Sequence, residues 1–336
     1  MAALQERKLQ EGVQLLKEAE KFVKTSWLKW KPDWDNAADK YMKAGTCFKA
    51  ARSYDRASEA FKKAADAHYN SHALFHAAKA LEQAASVLKE MKNVTEAVSL
   101  VERAVDMYRQ SGNSDTGALA LVRGAKMCDS IDPAKAAELY ITASEMNVSE
   151  DKIREAIEPL SKAINLLLKL KRFQNALNVM RQQMKLYEQV ENFQMMSKVV
   201  LSMVVVHLHE SDYVAADNCY KDSFEIPGFG SSDEAIAAEK VLDCFDQGDA
   251  TGMKTCTSQA LFTYLDNEIA KLCRSLRVPG DAGGRELTER RPVQNLNDFI
   301  KTDTQVPPNP VSNTTDQTEQ HNQEDLDDEL EEGGLC

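Results

Sequence analysis

The stretch YDRASEAFKKAADAHYNSHALFHAAKALEQAASVLKE, residues 54–90, repeats itself after twenty positions. Tyr54, Ala57 and Phe61 are answered by Leu74, Ala77 and Leu81. The spacing i, i+3, i+7 sets the three side chains of a unit on one face of an α-helix. A small residue between two large ones forms a notch, so a neighbouring helix can approach to the short end of the usual separation of about 8–10 Å. The polar break YNSH (69–72) separates the two units.

Upstream, the beat starts at Trp34, Ala37 and Tyr41. Downstream it runs through Val94, Ala97 and Val101, weakens at Ser114, Gly117 and Leu121, and recovers at Pro133, Ala136 and Tyr140 after a step of nineteen. Ile153–Ala156–Leu160, Phe173–Ala176–Met180, Phe193–Met196–Val200 and Tyr213–Ala216–Tyr220 complete it. Met196 is the one middle residue that is neither Ala nor Gly. Polar breaks fall between units at 89–93, 111–115, 129–133, 148–151 and 209–212, where Asp132–Pro133 pairs a helix cap with proline at the first helical position. Each unit is therefore one helix and a tight turn, and successive helices run antiparallel. A single amphipathic helix cannot bury its own stripe, so the units must stack.

The predicted fold is all-α: a TPR-like α-solenoid over residues 1–222, a C-terminal helical capping bundle over 223–277, and a disordered linker with an acidic tail over 278–336. Within the cap, FEIPGFGSSDE (224–234) reads as a loop and residues 234–276 as two less regular helices. The run VVLSMVVVHL, residues 199–208, is too short for a bilayer span of about twenty residues and reads as a helix buried all round.

The net charge of −12 is unevenly spread: residues 301–336 hold ten acids and one base, Lys301, whereas residues 1–50 hold ten bases and seven acids. That balance argues against a nucleic-acid partner. Seven widely spaced cysteines without a C-x-x-C pair fit reduced thiols, and the N-terminal LQERKLQEG is no secretory signal. A cytoplasmic protein is expected, with the Asn-x-Ser/Thr triplets at Asn93, Asn147 and Asn313 as chance matches.

His68, His72 and His76 have a metal-like spacing, but the break at Asn70–Ser71 interrupts their face, so they read as helix-end histidines. His207 and His209 lie on opposite sides of a helix and read as ordinary helix-end and interhelix histidines. The sequence contains no P-loop, dinucleotide fingerprint, H-E-x-x-H or nucleophile elbow. No enzyme activity, cofactor or metal is expected. Lys169, Lys171 and Arg172 mark a turn between two helices, read either as solvated charge at a helix end or as part of a basic face for an acidic partner.

All three tryptophans lie in KTSWLKWKPDW, residues 24–34. Trp34 takes the large-residue slot of the first full unit. Trp27, Leu28 and Trp30 fall in the loop after a helix over about 4–24, with Lys24 and Lys29 among them. Large aromatics interleaved with lysines suit a bilayer interface, where each lysine gains about 1 kcal/mol on anionic lipid. A hydrophobic staple between the first two helices is the other reading.

The segments EAEKFVKTSWLKWKPDWDNAADKYMKAGTCFKAARSYDRASEAFKKAADAH (18–68) and HALFHAAKALEQAASVLKEMKN (72–93) resemble the soluble NSF attachment proteins. With its lysine-rich tryptophan loop and GGLC ending, the chain is most similar to the gamma type. The resemblance covers about residues 1–276 and the last few positions. It implies a twisted sheet of antiparallel helical hairpins ending in a bundle. It also implies an adaptor, peripheral on the cytosolic face of membranes, that binds SNARE complexes and recruits and stimulates the NSF ATPase for their disassembly. Trp27, Leu28 and Trp30, with Lys24 and Lys29, would then contact an anionic membrane surface. Leu335 would stimulate NSF, and Lys162, Lys169, Lys171 and Arg172 are candidates for SNARE contact. The rival reading is a generic TPR-like peptide-binding scaffold or co-chaperone, which would not need SNAREs in order to bind NSF.

Overall fold

A computed structural model describes residues 2–25 and 30–280. The described residues contain helices and no strands. The array comprises α1 (Ala2–Val23), α2 (Trp34–Ala50), α3 (Tyr54–Asn70), α4 (Leu74–Glu90), α5 (Val94–Gln110), α6 (Ser114–Cys128), α7 (Pro133–Ser149), α8 (Ile153–Lys169), α9 (Phe173–Gln189), α10 (Phe193–His209) and α11 (Tyr213–Asp222). From α2 onward, the residue opening each repeat unit is the first residue of its helix. The small middle residues Ala37, Ala57, Ala77, Ala97, Ala136, Ala156, Ala176 and Ala216 are fully buried. Residues Met1–Asp281 form one compact unit.

Tight turns set the period. Arg52, His72, Lys92, Asp151, Lys171, Glu191 and Ser211 all adopt a left-handed conformation, and Gly112 occupies the same place after α5. In the first of these turns, the Ser53 N–H donates to the Phe48 carbonyl at 2.9 Å and the Arg52 N–H to the Lys49 carbonyl at 3.0 Å. That closes the helix end in a Schellman motif. A left-handed non-glycine residue costs about 1–2 kcal/mol, so packing of the joined helices must offset it at each such turn. The step of nineteen has a local cause. α6 has 15 residues where its neighbours have 17. The turn at 129–132 is correspondingly longer and has no left-handed residue, and the Ile131 and Asp132 N–H groups both donate to the Cys128 carbonyl. Asp132 caps α7 by accepting from the Lys135 N–H at 3.0 Å.

Ion pairs between alternate helices sort the array into two layers. Lys63–Glu20, Lys62–Glu96 and Lys135–Glu102 join α1, α3, α5 and α7. The Arg123 Nε donates to Glu82 at 3.0 Å, joining α4 and α6. Pro159 inside α8 has no N–H for the Glu155 carbonyl, and Asn147 of α7 supplies the missing donor from its Nδ2 at 3.2 Å.

Residues 199–208 of α10 are all buried, as the apolar run predicts. They are covered by the neighbouring array helices and by α12 (Asp233–Asp246) and α15 (Asn267–Ser275). Residues 234–276 were expected to give two helices; they form four, because α13 (Ala250–Thr257) and the short α14 (Ala260–Thr263) intervene. Gly248 breaks the chain at φ 69, and Asp249 then caps α13 by accepting from the Thr251 and Gly252 N–H groups. The loop at 224–234 contains two 3₁₀ turns, and the fully buried Phe229 packs edge-on to Tyr220 and Phe224.

His207, on α10, is 4% exposed and its Nδ1 has no hydrogen-bond partner. Burial, then the nearby Arg181 charge, lowers its proton affinity; burial does the same to His68 and His209. Unfolding restores the ordinary value of about 6.5, so the unfolded chain takes up protons first as pH falls. Stability should therefore decline as pH falls through about 6.5. Denaturant unfolding of a His207→Leu variant should show a shallower decline; an unchanged slope would assign the effect to other groups.

Candidate functional site

Antiparallel succession places the loop after α1, and the turns after α3, α5, α7 and α9, on one edge of the array. Turns after α2, α4, α6, α8 and α10 lie on the opposite edge. The tryptophan loop and the Lys169–Arg172 turn therefore sit on opposite edges.

The base of the tryptophan loop is closed. The Asp33 N–H donates to the Phe22 carbonyl at 3.0 Å, while the Asp33 carboxylate caps α2 by accepting from the Asn36 N–H at 3.2 Å. Trp34 is half-buried against the core, whereas Trp30 is 87% exposed and contributes little to packing. Lys24 is exposed. Trp27, Leu28 and Lys29 lie outside the described residues, as does Leu335.

At the other edge, Lys169 ends α8, Lys171 holds the left-handed position and Arg172 precedes α9; all three are exposed. Lys162 lies two turns before Lys169 on α8 and pairs with Glu158 at 3.2 Å. The structure thus places Lys162 on the face of the array and the other three at its edge.

The face to which Lys162 belongs carries a row of bases. At the sixth, tenth and thirteenth positions of the even-numbered helices stand Lys43, Lys79, Arg123, Lys126, Lys162 and Lys198, against Asp39 and Glu158. The equivalent positions of α3, α5, α7 and α9 hold Glu59, Asp66, Asp106, Glu138 and Glu145 against Lys63, Arg103 and Lys185. One face is basic and the other acidic. Lys43, Lys79 and Lys126 are exposed and make no ion pair among the described residues; the Lys79 ammonium sits over the Phe75 ring at 4.6 Å. The stripe ends at Lys198, beyond which α10 is covered. Five of these six bases escaped the sequence reading, although counting from each helix start finds them.

Between α6 and α8 the stripe borders a groove of about 610 Å³ with Leu119, Val122 and Pro159 in its walls and Tyr140 among its lining residues. Lys126, Lys152, Arg154 and Lys162 lie around it, with Asp115, Glu155 and Glu158. His72 occupies a left-handed turn position, and the His68 and His76 rings stand 5.4 Å apart. Among the described residues no group of three or more His, Cys, Asp or Glu side chains is placed to hold a metal, and no helix is long and apolar enough to cross a membrane.

A family model described as "Soluble NSF attachment protein, SNAP" matches residues 10–266. The chain belongs to this family. The family match runs from α1 to just before α15, so it takes in the tryptophan loop, the basic stripe and most of the cap. A gamma-soluble NSF attachment protein of Dictyostelium discoideum is 29% identical over 291 residues, 87% of this chain and 90% of that relative. One from Arabidopsis thaliana is 26% identical over 262 residues, 78% of this chain and 90% of its own length. Among solved structures, BtubC (BKLC) from P. vanneervenii aligns over 68% of this chain and 92% of its own at 11% identity, with a TM-score of 0.36, too low to compare the architectures.

Proposed function

We propose that this chain is an adaptor that binds SNARE complexes at membranes and recruits and stimulates the NSF ATPase for their disassembly. The observation that carries the reading is the basic stripe across the even-numbered helices, in a chain of the NSF attachment family. An assembled SNARE bundle is an acidic rod, and a stripe crossing the five even-numbered helices of one layer suits a long, shallow contact with it. Exposed charges attract over about 8 Å at physiological ionic strength, so such a contact steers and aligns more than it locks. Trp30 and Lys24, at one edge, support a second contact with an anionic bilayer, and two weak contacts together gain avidity. Residues 1–222 serve as the array, 223–277 as the cap, and 278–336 as a tail that presents Leu335 to NSF.

The test is reconstituted SNARE disassembly with NSF and ATP, with and without this chain. Acceleration that requires the chain supports the adaptor; NSF capture that is indifferent to SNAREs would favour the generic scaffold. Leu335→Ala should keep SNARE and NSF binding while slowing disassembly, and normal ATPase stimulation by that variant would remove the penultimate leucine from the mechanism. Trp27→Ser with Trp30→Ser should preserve the circular dichroism spectrum and weaken liposome flotation, more so on anionic lipid. Unfolding of the first helices in that variant would return the loop to a packing role.

A further inference from the structure

We propose that Cys244 and Cys256 form a redox-responsive thiol pair that closes into a disulfide and staples α12 to α13. Both cysteines are partly exposed, one near the end of each helix. The two helices pack together across the Gln247–Asp249 turn, with Gly248 at φ 69. Gly252 permits the approach: a Cβ built there would lie 2.9 Å from the Cys244 sulfur. That sulfur therefore rests on bare backbone one helical turn before Cys256. Residues four apart share a helix face, so Cys256 stands on the same face of α13 as Gly252, the face on which the Cys244 sulfur rests. The other described cysteines differ: Cys47, Cys128 and Cys273 are buried, and Cys219 lines a separate cavity between α9 and α11.

Burial first, then Cys256 and the neighbouring Asp249 and Asp243, push the Cys244 thiol up to about 11. Cys244 is thus held protonated at neutral pH and is the poorer first nucleophile. The co-reactant is a small-molecule disulfide such as glutathione disulfide. The Cys256 sulfur attacks one of its sulfurs, the S–S bond breaks, and one glutathione leaves as a thiolate that takes up the proton Cys256 released. Cys244 then attacks the Cys256 sulfur of the mixed disulfide and expels the second glutathione, which takes the Cys244 proton. The two protein thiols are oxidised by two electrons, and glutathione disulfide is reduced to two glutathiones.

The experiment exposes the full chain to a series of reduced and oxidised glutathione ratios, blocks remaining thiols and maps tryptic peptides. Cleavage after Lys240, Lys254 and Lys271 leaves the two cysteines on separate peptides, 241–254 and 255–271. The expected product links these peptides and separates on reduction. Cys244→Ser should lose the link and accumulate a glutathione adduct on Cys256, whereas Cys256→Ser should lose both. Since either variant could disturb the cap, phenylarsine oxide on the unaltered chain gives a second readout: one arsenic should bridge the same two peptides with loss of water. Oxidation that accumulates at Cys219 or Cys336 without the 244–256 link, or arsenic absent from this pair, would overturn the proposal.

Discussion

A chain carrying Lys43→Glu, Lys79→Glu and Lys126→Glu is expected to bind an assembled SNARE bundle roughly a hundredfold more weakly at low salt. The three lysines stand on successive even-numbered helices, are exposed, and have no carboxylate partner among the described residues. Their reversal therefore leaves no stranded acid to confuse the result. An exposed charge pair is worth about 0.2–1 kcal/mol, and reversal replaces that attraction with comparable repulsion. Three reversals then sum to about 3 kcal/mol, which converts to roughly a hundredfold in Kd. Raising the salt should close most of the gap, because exposed charges are screened. The helices should remain intact, since none of the three side chains is buried.

Reversal of Lys169, Lys171 and Arg172 supplies the comparison. These side chains lie along the turn edge, so the same change in net charge tests location rather than total charge. Equal weakening by the two triple variants would mean that a diffuse field governs binding. Weakening by the edge variant alone would move the contact away from the stripe.

The helical array was legible because the sequence repeats its packing rule at every unit: Tyr54, Ala57 and Phe61 describe a large–small–large face that each neighbour must accept. The turns were legible as polar breaks but not as left-handed conformations. Only Gly112 announces one, whereas Arg52, Lys92 and Lys171 adopt the same conformation under packing. The cap was read less well because α14, with four residues, is too short for the i, i+3, i+7 pattern, while α13, with eight, has room for it once and fills it with Ala250, Met253 and Thr257 instead of a large–small–large face. The basic stripe was present in the sequence but became visible only when helices were sorted into alternate layers. Lys43 and Lys63 occupy the same position in their helices yet lie in opposite layers. A count pooled over both gives nine bases against seven acids and hides the difference.

Gly45→Leu is expected to cost about 3 kcal/mol or more of stability, the largest effect of a single substitution in the array. A Cβ at Gly45 would stand 2.6 Å from Phe61 Cε1, 2.7 Å from Cδ1 and 2.9 Å from Cζ. Phe61 is 1% exposed and sits at the centre of the α2–α3 contact, so its ring has nowhere to withdraw. Two effects oppose each other in Gly45→Ala. Alanine gains about 1 kcal/mol in helix propensity, while overpacking typically costs about 1–3 kcal/mol; the short contacts to a fixed ring decide for destabilisation. Leucine adds further atoms at the same point and gains no helix propensity over alanine. Ala176→Leu, at a fully buried notch on α9, should fall within the overpacking range of about 1–3 kcal/mol. A double-mutant cycle separates clash from other causes. If the ring is the obstacle, Phe61→Leu should restore part of the stability lost in Gly45→Ala, leaving a coupling energy of about 1 kcal/mol. Additive losses would mean that α2 and α3 can shift apart, and that the small residues do not set the helix spacing.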